Sequence, residues 1–177
     1  MDERLIFSAA VEGLYGFSLK GRLSAAHKAE LKALGLDLDK KLMPAYPVET
    51  WAACIRATAR ELFHELPAEQ AHMELGHLAV KGFFETFVGK ALWPVFNMVG
   101  LRSSLKRSGR TFAKSCNCMK VEAREVSPTH IELDMDDALG LPHYFFGLVD
   151  MGHLMAGVQG YKATMVEKPP GATFIVT

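Results

Sequence analysis

The sequence predicts an α+β fold: an N-terminal helical half, residues 1–114, packed on a C-terminal β-β-α-β-β half, residues 115–177, with an antiparallel sheet. Three observations carry this expectation. Apolar residues recur at helical spacing through the first half, strict alternation replaces that spacing after Lys114, and Pro or Gly marks most junctions. The 177 residues are 49% hydrophobic and 23% charged, which suits one domain with a sizeable core and excludes general disorder.

Taken in order, Leu5 to Leu19 is a short apolar run containing Gly13 and Gly16, a first strand or bent segment. Ser24 to Leu34 turns helical, with Leu23, Ala26, Leu31 and Leu34 near one face and Gly35 at the expected C-terminal position. Pro47 suits the first turn of a second helix, where Glu49 complements the dipole. Trp51, Ile55, Thr58, Leu62 and Leu66 then recur at helical spacing. Pro67 opens a third helix with Glu69 in its first turn and an inward face of Met73, Gly76, Val80, Phe83, Phe84 and Phe87. Gly89 separates it from a segment spanning Ala91 to Ser108. Seven of the ten residues from Leu92 to Leu101 are large and apolar, which places that helix at the centre.

After Lys114, alternation through Met119 to Val126 and again through Ile131 to Asp136 gives two strands around a Ser127-Pro128-Thr129 turn. Gly140-Leu141-Pro142 introduces a helix reaching about Val158, with Phe145, Leu148 or Val149, Gly152, Met155 and Val158 buried. Strands from Tyr161 to Glu167 and Ala172 to Val176 flank a Lys168-Pro169-Pro170-Gly171 turn.

The N-terminus is acidic and mixed, unlike a signal peptide, and no apolar run approaches the roughly 18 residues of a membrane span. Three cysteines, an odd number, fit reduced thiols. The expectation is a soluble, cytoplasmic protein. Twenty basic and twenty acidic side chains balance, so a general polyanion binder is not indicated.

Local chemistry is sparse. His72 and His77 are five residues apart, a rotation of about 500°, so their rings diverge where a zincin pair would share a face. His143 and His153 also fall on different sides of their helix. Cys116-Asn117-Cys118 puts two thiols on one face of an extended chain but supplies too few ligands for a tetrahedral metal. The residue spacing of a helix-start redox motif is absent, and two small half-buried residues at a strand start is the reading taken. No G-x-S-x-G elbow or Gly-rich phosphate loop occurs, and Asp134 and Asp136 alternate onto an exposed strand face. The residues indicate neither an enzyme, nor a metal site, nor a cofactor.

Two distributions carry more. Between Glu85 and Glu122 there is no acid, while Lys90, Arg102, Lys106, Arg107, Arg110, Lys114 and Lys120 fall in the interval. Arg102, Lys106 and Arg110 would stack along one edge of a continuing helix. They serve the helix dipole, or they meet an anionic headgroup, a phosphate or an acidic partner. Phe83, Phe84, Phe87, Trp93, Phe96, Phe112, Phe145 and Phe146 fall on elements that should meet, either as core or as the wall of a small-molecule cavity.

Ala45-Tyr46-Pro47-Val48-Glu49-Thr50-Trp51, Leu62-Phe63 before Leu66-Pro67, Gly82-Phe83-Phe84-Glu85-Thr86 and Gly89-Lys90-Ala91-Leu92 resemble a paralogous family of myxobacterial proteins of unknown function, domain of unknown function 2378. The resemblance continues through Phe112, Asn117, Gly140-Leu141-Pro142 and Phe145 to Gly147, and ends on Gly171-Ala172-Thr173-Phe174. The order of elements is also similar to that of the haem-based nitric-oxide and oxygen sensor (H-NOX) domains, the vinyl-four-reductase domains and the TRAPP subunits. Tyr144 to Val149 resembles the opening of the late helix of the haem sensors. That resemblance implies a bacterial sensory domain with a ligand cavity between helical half and sheet. It also implies an axial histidine on the helix before the first C-terminal strand, but Leu92 to Lys114 holds none. Nor does Ile131 to Leu139 contain the tyrosine-serine-arginine set that holds haem propionates in those sensors.

The function expected is therefore a non-enzymatic, haem-free sensory or adaptor domain binding a small, mostly apolar ligand. Phe83, Phe87, Trp93, Phe96, Phe112 and Phe145 form the expected wall, and Arg102, Lys106 or Arg110 faces an acidic head. The alternative is a protein-interaction module with a filled core, recruiting a signalling partner or a second copy as a homodimer. One basic edge without interleaved aromatics is a poor nucleic-acid platform.

Overall fold

The computed structural model describes residues 3–155 and 160–177, with side chains described throughout except at 95–102, 104, 108, 111 and 153. Only Leu5–Phe7 of the first apolar run is a strand, β1. The rest is helical because Val11, Leu14, Tyr15 and Leu19 repeat at helical spacing: α1, Ser8–Val11, continues as a π-helix, Glu12–Ser18. Helix α2, Ala25–Ala33, is capped by the Ser24 hydroxyl accepting the His27 amide at 3.0 Å, and Gly35 follows at φ 105°. Strand β2, Ala45–Pro47, pairs antiparallel with β1 and leads into α3, Val48–Leu62, with Trp51, Ile55 and Thr58 buried as their spacing predicts. Leu66 lies beyond this helix and is exposed.

Helix α4, Ala68–Glu85, begins after Pro67 as expected, but its inner face is not the expected one. Ala71, Leu75, Gly76, Ala79 and Gly82 are buried, whereas Met73, Val80, Phe83 and Phe84 are half-buried and Phe87 belongs to the next helix. Small residues line the face because neighbouring backbones press directly on it. A Cβ built at Gly82 would run into the Gly13 carbonyl of the π-helix.

The corner after α4 is set by Thr86 rather than Gly89. The Thr86 hydroxyl donates to the Phe83 carbonyl at 2.6 Å and accepts the Gly89 amide at 3.0 Å, closing one helix and capping the next. Gly89 lies in the first turn of α5, Phe87–Lys106, where a Cβ would meet the Phe83 carbonyl. The side chains that make residues 92–101 read as central fall mostly outside the described residues. Among the described residues, α4 is the helix with the most neighbouring elements: α1, the π-helix, α3, α5 and the late helix.

A turn at Arg107 separates α5 from α6, Ser108–Ala113. Arg110 is therefore on a different helix from Lys106, and the expected continuous basic edge is broken. Helix α6 lies tight on the sheet, since a Cβ at Gly109 would meet the Val121 carbonyl.

The second half follows the predicted order: β3, Val121–Ser127; β4, His130–Met135; α7, Pro142–Met155; β5, Ala163–Lys168; and β6, Gly171–Val176. The four strands form one antiparallel sheet in the order β3-β4-β6-β5, with Leu133 opposite Phe174 and Met165 opposite Phe174 on its other side. Helix α7 lies between sheet and α4: Phe146 stacks on Phe174 of β6, ring centroids 6.5 Å apart. Its buried residues include Tyr144, Phe145, Val149 and Met151; Val158, expected on this stripe, lies outside the described residues. Buried residues of both halves, from Ile6 to Val176, form one apolar cluster.

Polar side chains inside the helical half are paired. Thr58 Oγ1 lies 2.8 Å from the Tyr15 hydroxyl and 3.0 Å from His27 Nε2, while His27 Nδ1 meets Glu30 at 3.0 Å. This network ties the π-helix, α2 and α3 together.

The packing makes its own tests. Gly147→Ala places a methyl against the Met73 carbonyl of α4 and lowers unfolding free energy by about 1–3 kcal/mol or more in urea titration. Gly152→Ala, on the same helix with open space around its Cβ, raises it by up to about 1 kcal/mol. Equal effects would show that backbone contact does not limit α4–α7 packing. Thr58→Val strands the Tyr15 hydroxyl and one His27 nitrogen in the interior and costs about 1–3 kcal/mol, read as a lower urea midpoint at unchanged slope.

Candidate functional site

Aromatic rings join the helical half to the sheet half as a chain of contacts. Tyr15 of the π-helix meets Trp51 of α3 edge-on at 6.1 Å, and Trp51 meets Tyr144 of α7 at 6.3 Å. Tyr144 adjoins Phe145 at 5.4 Å, and Phe145 faces Phe112 of α6 at 6.2 Å. The contacts from Tyr15 to Phe145 are edge-to-face, a geometry that holds rings in fixed mutual orientation, and Phe112 is tilted against Phe145. Burial pushes the Tyr15 and Tyr144 phenols above their ordinary range, so both stay protonated as hydrogen-bonding and packing groups.

The structure brings some of the expected wall residues together and separates others. Phe112, half-buried, and Phe145, buried, are in contact where α6, α7 and the sheet half converge. Phe83 and Trp93 belong to a second group at the α4–α5 corner, each contacting Phe84, at 5.6 and 4.9 Å. Phe87 joins neither group: the cap at Thr86 turns it outward, and it is 89% exposed. Phe96 and Arg102 lie outside the described side chains. Lys106 pairs with Glu125 of β3, and Arg110 is exposed on α6. An acidic ligand head reaching Lys106 would have to displace Glu125.

A feature that sequence reasoning missed is an open cavity of ≈ 270 Å³ between α4, α7 and β5. Met73, Phe146 and Met165 supply its apolar lining, with Glu69, Gln70 and His143 as its polar groups. His143 sits between two carboxylates, 3.6 Å from Glu69 and 3.8 Å from Glu167. The nearby His72 ring is held below its ordinary pKa by burial and by the positive charge of Arg56. Three separated elements contribute these residues, so no local spacing in the sequence announces the site.

One hydrogen-bonded chain has the connectivity of a nucleophile, base and orienting carboxylate: Thr58, His27 and Glu30. Its hydroxyl is wholly buried and shared with Tyr15, which leaves no approach for a substrate. A second histidine, His77, is tied across the α4–α7 interface to Asp150 at 3.0 Å, while Asp150 also receives the Tyr161 hydroxyl. Among the described residues, no three His, Cys, Asp or Glu side chains converge as a metal site, and no helix is long and apolar enough to cross a membrane.

With this geometry in hand, known proteins give a consistent picture of the fold. The structure is similar to an H-NOX protein from S. oneidensis in its Fe(II)NO state, with a TM-score of 0.74, 10% identity, and coverage of 97% of this chain and 98% of that one. A point variant of the T. tengcongensis H-NOX matches at a TM-score of 0.66 and 14% identity, over 96% of this chain and 93% of that one. An oxygen-binding H-NOX domain related to soluble guanylate cyclases matches at 0.62 and 15%, over 96% and 89%. The α+β fold is that of the H-NOX domains. The donor set for haem differs from what the resemblance implies: α5 and α6 hold no imidazole, thiol or phenol for an axial position. Both nitrogens of His27 and of His77 are already taken by neighbouring side chains. No curated protein matches the chain in sequence. A family model does match, over residues 4–175, and the chain belongs to that family, described as a protein of unknown function (DUF2378).

Proposed function

We propose that this chain is a non-enzymatic, haem-free sensory or adaptor domain that binds a small, mostly apolar ligand where the helical half meets the sheet half. The observation that carries the reading is the Phe112–Phe145 contact at that junction, in an H-NOX fold whose α5 and α6 lack an axial imidazole. Large rings with few polar groups favour apolar molecules, and Arg110, exposed on α6, is the base an acidic head would meet without displacing Glu125 from Lys106. The ring chain from Phe112 to Tyr15 supplies a rigid route by which occupancy at the junction would bias the N-terminal helices. The enclosed Thr58 hydroxyl supports a binding role over a catalytic one.

A second reading, a protein-interaction module with a filled core, draws on Phe87 and Val88. They are 89% and 39% exposed side by side at the start of α5, an apolar pair of the kind that partners cover.

Native mass spectrometry of the purified chain, compared with its denatured mass, separates the two. A ligand domain carries extra mass that leaves on denaturation, whereas a filled module shows the bare chain or a multiple of it. Added haem should give no saturable Soret band; stoichiometric haem with an axial-ligand spectrum would overturn the haem-free reading.

A further inference from the structure

The cavity between α4, α7 and β5 shares no residue with the Phe112–Phe145 contact. Its volume of ≈ 270 Å³ lies just below the roughly 300–1,000 Å³ of pockets that hold drug-sized molecules, so it suits a smaller one. Two of its walls are fixed. Gly147 of α7 presses on the Met73 carbonyl of α4, and Gly76 of α4 presses on the Tyr144 carbonyl, so these helices cannot move closer to fill the space. The floor is apolar: Met73, Met165 and Phe146, whose ring is stacked on Phe174. Thioether chains adapt readily to an aliphatic guest.

The polar side is unbalanced. His143 Nε2 faces Glu69 of α4 at 3.6 Å, and its Nδ1 faces Glu167 of β5 at 3.8 Å. A neutral imidazole carries one N–H, so in either tautomer a ring lone pair is turned toward a carboxylate. With the proton on Nδ1, toward Glu167, the two groups left at the cavity mouth, Nε2 and the Glu69 carboxylate, are both acceptors. They lack a donor. Charge points the same way. Helices α4 and α7 both start at this end, with Glu69 and His143 in their first turns, and each N-terminus contributes about half a positive charge. Two carboxylates outweigh those dipoles by about one unit of charge. The neighbouring cations are committed elsewhere: Arg56 of α3 donates to the Leu139 carbonyl at 3.1 Å, and Lys168 of β5 lies 3.7 Å from Asp134. His72 of α4, held below its ordinary pKa by burial and Arg56, adds no positive charge at neutral pH.

We propose that this cavity binds a free primary alkylamine, with its chain between Met73, Met165 and Phe146 and its ammonium group at Glu69 and His143. An alkylammonium brings three N–H donors and one positive charge, which the mouth lacks, and an aliphatic chain, which the floor accommodates. The bound imidazole is the Nδ1–H tautomer, its proton toward Glu167 and its Nε2 lone pair toward the ligand. The site is independent of any ligand at the Phe112–Phe145 junction.

The test titrates the full chain, carrying ¹³C at its methionine methyls, with hexylammonium, 1-hexanol and hexanoate at neutral pH. These probes share a chain length and differ in the charge of the head. The Met73 and Met165 methyl resonances, assigned through Met73→Leu and Met165→Leu, should shift to saturation with hexylammonium, more weakly with hexanol, and stay in place with hexanoate. Glu69→Gln should weaken hexylammonium about two- to fivefold and leave hexanol unchanged. The Glu69 side chain is 74% exposed, so the fold does not rest on it. Ring ¹⁵N shifts of His143 in the complex should show a protonated Nδ1 and a bare Nε2. Hexylammonium leaving both methyls in place, or moving only methionines outside the cavity, would overturn the proposal. So would hexanol or hexanoate binding as tightly, an unchanged affinity in Glu69→Gln, or the Nε2–H tautomer in the complex.

Discussion

The structure depends on how closely three backbones approach along α4. Gly82 lies against Gly13 of the π-helix, and Gly76 lies against Tyr144 and Gly147 of α7, so side chains are excluded from the closest contacts. Helices that meet this way gain dispersion contact along their backbones and lose the tolerance that flexible side chains provide. The consequence reaches both halves. Because α4 is clamped on two faces, the π-helix and α7 have one relative position, and Trp51 of α3 fits between Tyr15 and Tyr144 to bridge them.

That closeness also dictates where polar groups go. Thr58, His27 and His77 are buried, and each has its partners: Tyr15 and His27 for Thr58, Glu30 for His27, Glu74 and Asp150 for His77. A buried polar atom without a partner costs more than its hydrogen bond returns when made. The His77–Asp150 contact therefore adds a directional polar tie to an α4–α7 interface that the close backbone contacts already fix. Tyr161, reaching back to Asp150, ties the approach to β5 into the same joint.

Much of the architecture is legible in the sequence because it rests on local rules. Alternation specifies β3 and β4, Ser24 and Gly35 bound α2, and Pro47 and Pro67 introduce α3 and α4. The failures share one cause. Periodicity assigns large apolar residues to the inside, so it places Phe83, Phe84 and Phe87 on the inner face of α4, yet glycines and alanines occupy it. A hydroxyl cap at Thr86 competes with Gly89 as the helix boundary and wins, which carries Phe87 to the surface. The Glu69, His143 and Met165 cavity is invisible in the sequence for a different reason: its lining comes from three elements brought together only by folding.

Fold and function separate here along the same line. An H-NOX fold is shared with proteins of 10–15% identity, which is enough to place helices and strands and too little to transfer a haem site. At the junction the structure has aromatic rings on α6 and α7, Lys106 of α5 is paired with Glu125 of β3, and α5 and α6 hold no imidazole. The ring contacts Phe112, Phe145, Tyr144, Trp51 and Tyr15 join that junction to the N-terminal helices, and close-packed rings cannot move one at a time.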